Sequence, residues 1–329
     1  MGDRDQVVLR EGSADPKAVR AERLRRKLLR EIGPNILEAL DDEEVVEVMV
    51  NEDGTVWSDR LGTGMERLPE AMPPERAESL VGTVAALLGR VANADHPIVE
   101  GELPFFGFRF EGIVPPVAPR ASIAIRKRAK LLFTLDDYVA KEQLELAHAE
   151  LLRSAVKDCW NIVITGGTGS GKTTFVNALL HEKVKLGHPN QRFIILEDTV
   201  EIQCDAANRV QLRTSDDADL TRLVRATMRL RPDAIIVGEV RGREALDMLK
   251  AWNTGHPGGM TTVHANSARA ALSRLDQLVQ EAGVPSQPHL LGDAVDLIVG
   301  IRERTIQELL RVHGYQPETQ RFELEELRP

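Results

Sequence analysis

The pattern of apolar and polar positions changes character near residue 130. From Lys17 to Leu40 apolar residues recur at helical spacing, with Ala21, Leu24, Leu28 and Ile32 on one face. Residues 45–57, VVEVMVNEDGTVW, alternate and then turn at Asn51 to Gly54, which predicts a hairpin. Pro73 and Pro74 open a helix running to about Asn93, with Leu80, Val84, Leu87, Leu88 and Val91 inward. FFGFRFEGIVPP (105–116) and ASIAIRKR (121–128) read as two further strands. Strands mixed with helices predict a small α+β domain over 17–130, after a disordered leader over 1–16. The basic segment from Arg126 to Lys130 is the expected hinge into a second domain, 131–329.

That second domain reads differently. A helical stretch from Thr134 to Lys157 is followed by strand-like runs at 162–165, 192–196, 209–213, 234–238, 260–264 and 296–301. Helical patterns separate most of them, for example at 219–230 and 267–282. This alternation predicts an α/β fold whose sheet is largely parallel and covered on both faces. Ligands in such a fold sit at the carboxyl ends of the strands. The chain has no internal repeat and no low-complexity segment.

Candidate chemistry falls at those strand ends. After the apolar run Ile162 to Ile164 comes GGTGSGKTT, comprising Gly166, Gly167, Thr168, Gly169, Ser170, Gly171, Lys172, Thr173 and Thr174. It fits G-x-x-x-x-G-K-[ST], and a helical pattern follows. Glycines let successive backbone N–H groups turn toward phosphate oxygens, and the opening helix adds its positive end. Lys172 would neutralise the outer phosphates, and the Thr173 hydroxyl would hold Mg²⁺. A chance glycine-rich turn would lack the strand before and the helix after.

Three more stretches end strands. ILEDTVE carries Glu197 and Asp198, carboxylates suited to Mg²⁺ waters or to orienting a nucleophile, although acidic loops are common. In LRPDAIIVGEVR the strand runs out at Glu239, and Gly238 stands where an acid often sits. Glu239 can accept a hydrogen bond from a water aimed at the terminal phosphate, or it is a surface residue capping a helix start. GHPGGMTTVH holds His256 and ends a short strand at His264, which could report the phosphate state or simply be a satisfied histidine. Arginines that could meet transition-state charge are Arg109, Arg120, Arg126, Arg229, Arg231 and Arg241.

Composition narrows the class. The 329 residues carry a formal charge of −9 and only 4% aromatics, which argues against strong direct nucleic-acid binding and against extended base-stacking platforms. Two distant cysteines, Cys159 and Cys204, suit a reducing compartment and give no zinc framework. The opening residues lack an apolar signal segment, and no apolar run approaches the ~18 residues of a spanning helix. Seven basic residues against Glu22 between Lys17 and Arg30 make either a solvated helix face or a contact with anionic lipid or a partner.

Together GGTGSGKTT, ILEDTVEI, MRLRPDAIIVGEVRGREA and TGHPGGMTTVHAN resemble the traffic ATPases of type II and type IV secretion and type IV pili, over roughly residues 35–305. The short first domain and the absence of a tetracysteine insertion resemble the type IV secretion branch, and DDEEVVEVMVNEDGTVW resembles its conjugal-transfer members. The resemblance implies a RecA-like P-loop NTPase domain behind a PAS-like one. It implies a homo-hexamer at the cytoplasmic face of the inner membrane that hydrolyses ATP with Mg²⁺ and serves secretion or conjugation machinery. By position it assigns Arg109 and Arg126 to the terminal phosphate, leaves Arg120 as an alternative, and matches Arg229 and Arg231 to an R-x-R-P-D motif. Glu239, assisted by Glu197, is then the water-positioning residue, and His264 falls in the family's His box, where it could report the phosphate state or polarise a carboxylate. Pilus assembly or retraction is a neighbouring expectation; a non-hydrolysing nucleotide-gated scaffold and a small-acceptor phosphotransferase are others.

Overall fold

In a computed structural model the described residues are 16–127, 132–215 and 217–328, with side chains from residue 20. Apart from Pro16, the expected leader lies outside them, and of the expected hinge only Arg126 and Lys127 lie inside. The chain divides into two compact units, Met1–Arg128 and Ala129–Pro329.

The first unit contains α1 (Pro16–Ile32), α2 (Pro34–Asp41), β1 (Val45–Val50), β2 (Val56–Arg60), β3 (Gly64–Arg67), α3 (Pro74–Leu87), β4 (Ile98–Leu103), β5 (Phe108–Ile113) and β6 (Ser122–Arg126). Its six strands form an antiparallel sheet in the order β3-β2-β1-β6-β5-β4. Alternation along each strand sends Val48, Val50, Phe110 and Ile125 into one core with Leu28, Ile32, Leu80 and Val84 of the helices. The hairpin at Asn51 forms as expected, with Gly54 at φ +82° and Gly54 N donating to Asn51 O at 2.9 Å.

Four expectations for this unit need correction. The single helix over 17–40 is two, broken where Gly33 takes φ +79° and Pro34 starts afresh. Ala21 is exposed rather than on the buried face. Helix α3 stops at Leu87 because Gly89, at φ +75°, closes a Schellman motif: Arg90 N donates to Ala85 O and Gly89 N to Ala86 O. Val91 therefore lies past the end and is 62% exposed. Residues 104–107 are a turn, so the strand expected from residue 105 begins at Phe108 and pairs with β4, which the apolar pattern did not predict.

The second unit runs α4 (Leu135–Ala140), α5 (Leu146–Lys157), β7 (Ile162–Thr165), α6 (Lys172–Leu186), β8 (Phe193–Glu197), β9 (Arg209–Arg213), α7 (Leu220–Thr227), β10 (Ala234–Val237), α8 (Glu244–Asn253), β11 (Met260–Val263), α9 (Ala268–Gln280), α10 (Pro288–Ala294), β12 (Leu297–Arg302), β13 (Thr305–Gln316) and β14 (Arg321–Glu326). The helical stretch expected over 134–157 is thus two helices. Eight strands lie in the order β14-β13-β12-β7-β11-β10-β8-β9. The six from β12 to β9 are mutually parallel, and β13 and β14 extend the sheet antiparallel.

Both faces are covered, which explains the unbroken apolar strands. Ile162, Ile164, Ile195, Ile236 and Val299 point into one core with Phe175 and Leu179 of α6. Val163, Leu196, Val237 and Ile298 point into the other with Leu249 of α8 and Leu275 of α9. Each such fully buried aliphatic side chain contributes about 1.5–3 kcal/mol. The order fixes what matters for chemistry: β7, β11, β10 and β8 are successive neighbours, so the loops leaving their carboxyl ends emerge side by side.

Candidate functional site

The loop after β7 is shaped by its glycines. A methyl group built on Gly166 would lie 2.3 Å from Ile301 O and 2.7 Å from Ser170 Oγ, so only glycine fits. Gly169 and Gly171 take φ +71° and +95°, which lets the chain turn into α6. Gly167, Thr168 and Gly169 are exposed, with open space above Gly167 and Gly169. Ser170 Oγ is buried with no hydrogen-bond partner among the described residues. Lys172 opens α6, with Thr173 and Thr174 half-buried after it. A glycine-shaped loop pinned at Gly166 and open above Gly167 and Gly169, an unsatisfied buried hydroxyl, and the N-terminus of a 15-residue helix fit a polyphosphate.

Lys172 begins a chain of polar contacts across three strand ends. Its Nζ donates to Gly166 O at 3.0 Å and Gly167 O at 2.8 Å, and lies 3.4 Å from His264 Nδ1. An ammonium only donates, so Nδ1 accepts and the neutral ring carries its proton on Nε2. That nitrogen is 2.9 Å from Glu239 Oε1. Arg241 donates to the other Glu239 oxygen at 2.6 Å and reaches toward Asp198 at 3.8 Å. Burial first, then the positive charges of Lys172 and Arg241, hold the His264 imidazole below its ordinary value, against the opposing pull of Glu239. The Arg241 guanidinium moves the other way, raised chiefly by its hydrogen bond to Glu239.

Glu239 follows β10 by two residues, and its loop is tied to the next strand. Val240 N donates to Thr262 O, and Thr262 Oγ1 to Gly238 O, both at 2.9 Å. Gly238 is small for a reason. A methyl group there would come within 3.1 Å of Glu197 Cγ and 3.6 Å of Oε1, so an acid there would crowd the Glu197 carboxylate. Glu197, the last residue of β8 and only 3% exposed, spends Oε1 on the amides of Glu201 (2.8 Å) and Ile202 (2.7 Å). In this arrangement Glu197 holds the loop that follows β8. No cluster of three or more His, Cys, Asp or Glu suited to a metal occurs among the described residues. That is compatible with Mg²⁺, which keeps several waters and binds chiefly through phosphate and one or two protein oxygens.

Other predicted residues lie elsewhere. Arg229 and Arg231 precede β10 and are exposed, at the amino end of the strand rather than the carboxyl end that carries Glu239. His256 precedes β11 at the same end, where Nδ1 contacts Pro232 O at 2.9 Å. Arg109 and Arg126 belong to the first unit, where they face each other across β5 and β6, between Glu102 on β4 and Glu47 on β1. Arg120 is exposed in the loop before β6.

Two residues escaped the sequence reading. Asn177 of α6 is 3% exposed; its Oδ1 accepts from Gln203 N at 3.0 Å and its Nδ2 donates to Glu201 O at 3.3 Å, clasping the loop after β8 to the phosphate-loop helix. Its helical neighbours Thr173, Thr174, Leu180 and His181 are mostly polar, so no apolar face marked it in the sequence. Arg304, in the β12–β13 turn, donates its backbone N–H to Ser170 O at 3.1 Å. Nothing local in sequence links it to residue 170.

An open α/β sheet with a phosphate-fitting loop and a carboxylate–imidazole–ammonium chain at adjacent strand ends defines a nucleotide-site architecture. Residues 97–312 match the family described as Type II/IV secretion system protein, and the chain belongs to that family. Among relatives it is 50% identical over 297 residues to conjugal transfer protein TrbB of Rhizobium radiobacter, covering 89% of this chain and 91% of that protein. It is 30% identical over 325 residues to type IV secretion system protein VirB11 of Brucella suis, covering 86% and 88%. The solved pilus retraction motor PilT with bound ADP shares the fold, with a TM-score of 0.59 at 19% identity over 90% of this chain and 82% of that one.

Proposed function

We propose that the protein is an ATP-hydrolysing motor of conjugal transfer or type IV secretion. The observation that carries this reading is the Lys172–His264–Glu239 chain across the carboxyl ends of β7, β11 and β10. The second unit is read as a RecA-like P-loop NTPase domain and the first as PAS-like. Amides from Gly166 to Thr174 take the phosphates of ATP, and Lys172 turns its donors from the loop carbonyls to the phosphate oxygens. Mg²⁺, held by Thr173 with help from Glu197, would spread the charge of the β and γ phosphates.

Glu239 accepts a hydrogen bond from the attacking water, whose oxygen forms the new bond to phosphorus as the bridging oxygen leaves with ADP. His264 and Arg241 orient the Glu239 carboxylate. Lys172 touches both the phosphate loop and His264, so its shift toward phosphate alters what His264 and Glu239 contact. Arg109 and Arg126 meet the terminal phosphate and couple its loss to movement of the first unit. Homo-hexamers of the chain would act at the cytoplasmic face of the inner membrane beside the secretion machinery. Arg23, Arg26 and Arg30, exposed along α1, offer a contact with anionic lipid. No helix among the described residues is long and apolar enough to cross a membrane.

The roles separate in binding and turnover. Glu239→Gln is expected to bind ATP as the wild type does and to stop releasing phosphate. Lys172→Ala is expected to lose binding as well. Wild-type turnover in either variant contradicts its assigned role.

A further inference from the structure

The chemistry described above lies entirely on one side of β7. Glu239 and His264 leave β10 and β11, while β12 flanks β7 on the other side. The turn after β12 is packed hard against the phosphate loop. Ile301 O sits where a side chain on Gly166 would be, and a methyl group on Gly171 would touch Arg304 Cγ and Ile301 Cδ1, both at 3.7 Å. Arg304 N holds Ser170 O.

The turn is a two-residue hairpin between the Arg302–Thr305 pair, and both its central residues, Glu303 and Arg304, take positive φ (+51° and +65°). Turns of this kind favour Asn-Gly, so long side chains here carry a local conformational cost. The neighbouring Arg302 and Glu303 contact each other at 3.8 Å. The Arg304 side chain is exposed, with no ion pair or hydrogen bond to its guanidinium among the described residues. Tyr138 of α4 packs its ring edge-on against Phe175 of the phosphate-loop helix at 5.1 Å, and burial pushes its hydroxyl up to about 12 against the opposing charge of Arg304.

This arrangement orients the ligand. If the terminal phosphate meets Glu239 and His264, the nucleoside end leaves the loop on the β12 side. We propose that Arg304 is a nucleoside-binding residue: its guanidinium, held beside Ser170 and Gly171 by the β12–β13 turn, stacks on the purine base of the nucleotide. The inference rests on the nucleotide-binding part of the proposed function. A guanidinium suits the task because it is planar, permanently charged and weakly hydrated.

The test uses the full-length chain and two ligands, Mg-ATP and inorganic tripolyphosphate with Mg²⁺, measured by calorimetry. Arg304→Ala is expected to weaken ATP roughly tenfold and leave tripolyphosphate unchanged. Arg304→Lys, which keeps the charge and loses the plane, is expected to recover less than half of the lost affinity on a logarithmic scale. In turnover the loss should fall on KM and spare kcat. Equal weakening of both ligands would overturn the proposal, because the turn would then act through the shape of the phosphate loop. Unchanged ATP affinity, or full recovery in Arg304→Lys, would also overturn it. Failure of the underlying reading looks different: the wild type would bind neither ligand, and Lys172→Ala would change nothing.

Discussion

Replacing Gly238 by Asp tests how the carboxylates of the site are spaced. The first added atom would sit 3.1 Å from Glu197 Cγ, and Glu197 cannot swing aside freely while its Oε1 accepts two amides at 2.8 and 2.7 Å. An alanine there needs only a shift of a few tenths of an ångström, and Gly238→Ala is expected to cost at most about 1 kcal/mol. An aspartate adds a second carboxylate roughly 4 Å from a buried one. At an effective dielectric constant of ~20 that repulsion approaches ~4 kcal/mol, and relaxation leaves about 2–4 kcal/mol. The assay is the denaturant midpoint of Gly238→Asp against Gly238→Ala. Carboxylates so close share a proton, so one pKa in the folded variant lies above its unfolded value. The folded state then binds more protons, and stability falls as pH rises through that window. The deficit should accordingly shrink toward the ordinary carboxylate range near pH 4. Equal midpoints for the two variants at pH 7, or a deficit independent of pH, would refute the spacing argument.

Two further outcomes follow from the site. Asn177→Ala removes both contacts of a buried side chain to the loop after β8 and should lower unfolding stability by about 1–3 kcal/mol, with the 198–206 loop becoming more open to hydrogen exchange; unchanged exchange there would count against the clasp. His264 is held below its ordinary value, so the unfolded chain takes up a proton near pH 6.5 that the folded chain does not. The wild type should therefore lose stability as pH falls through that value, and His264→Gln should lose less between pH 7 and 5; identical slopes in pH titrations of stability would contradict the assignment.

Much of this was legible in sequence because it is local. GGTGSGKTT specifies its own turn and helix start, and strands such as Ile162 to Ile164 are apolar throughout because both faces are covered. What stayed hidden depends on partners distant in sequence. β4 is interrupted by Glu100, Gly101 and Glu102 and is a strand because β5 pairs with it. Strand β14 carries Arg321, Glu323 and Glu325 at alternate, exposed positions, β13 holds only Glu308 and Arg311 among polar and apolar residues, and their place in the sheet is set by β12. The helix stop at Gly89 was readable and overridden by the apolar spacing that reaches Val91. Arg229 and Arg231 illustrate the converse: a motif next to β10 in sequence lies at the opposite end of that strand from Glu239, because the strand itself separates them.

The central claim is that Glu239 and Lys172 serve hydrolysis of ATP. Phosphate release by the full-length chain with Mg²⁺ and ATP, followed side by side with Glu239→Gln, tests it most directly. Steady release by the wild type, with a loss of at least about a hundredfold in the variant, is the predicted result. A wild type that releases no phosphate in any assembled state, or a variant that keeps pace with it, would contradict the account.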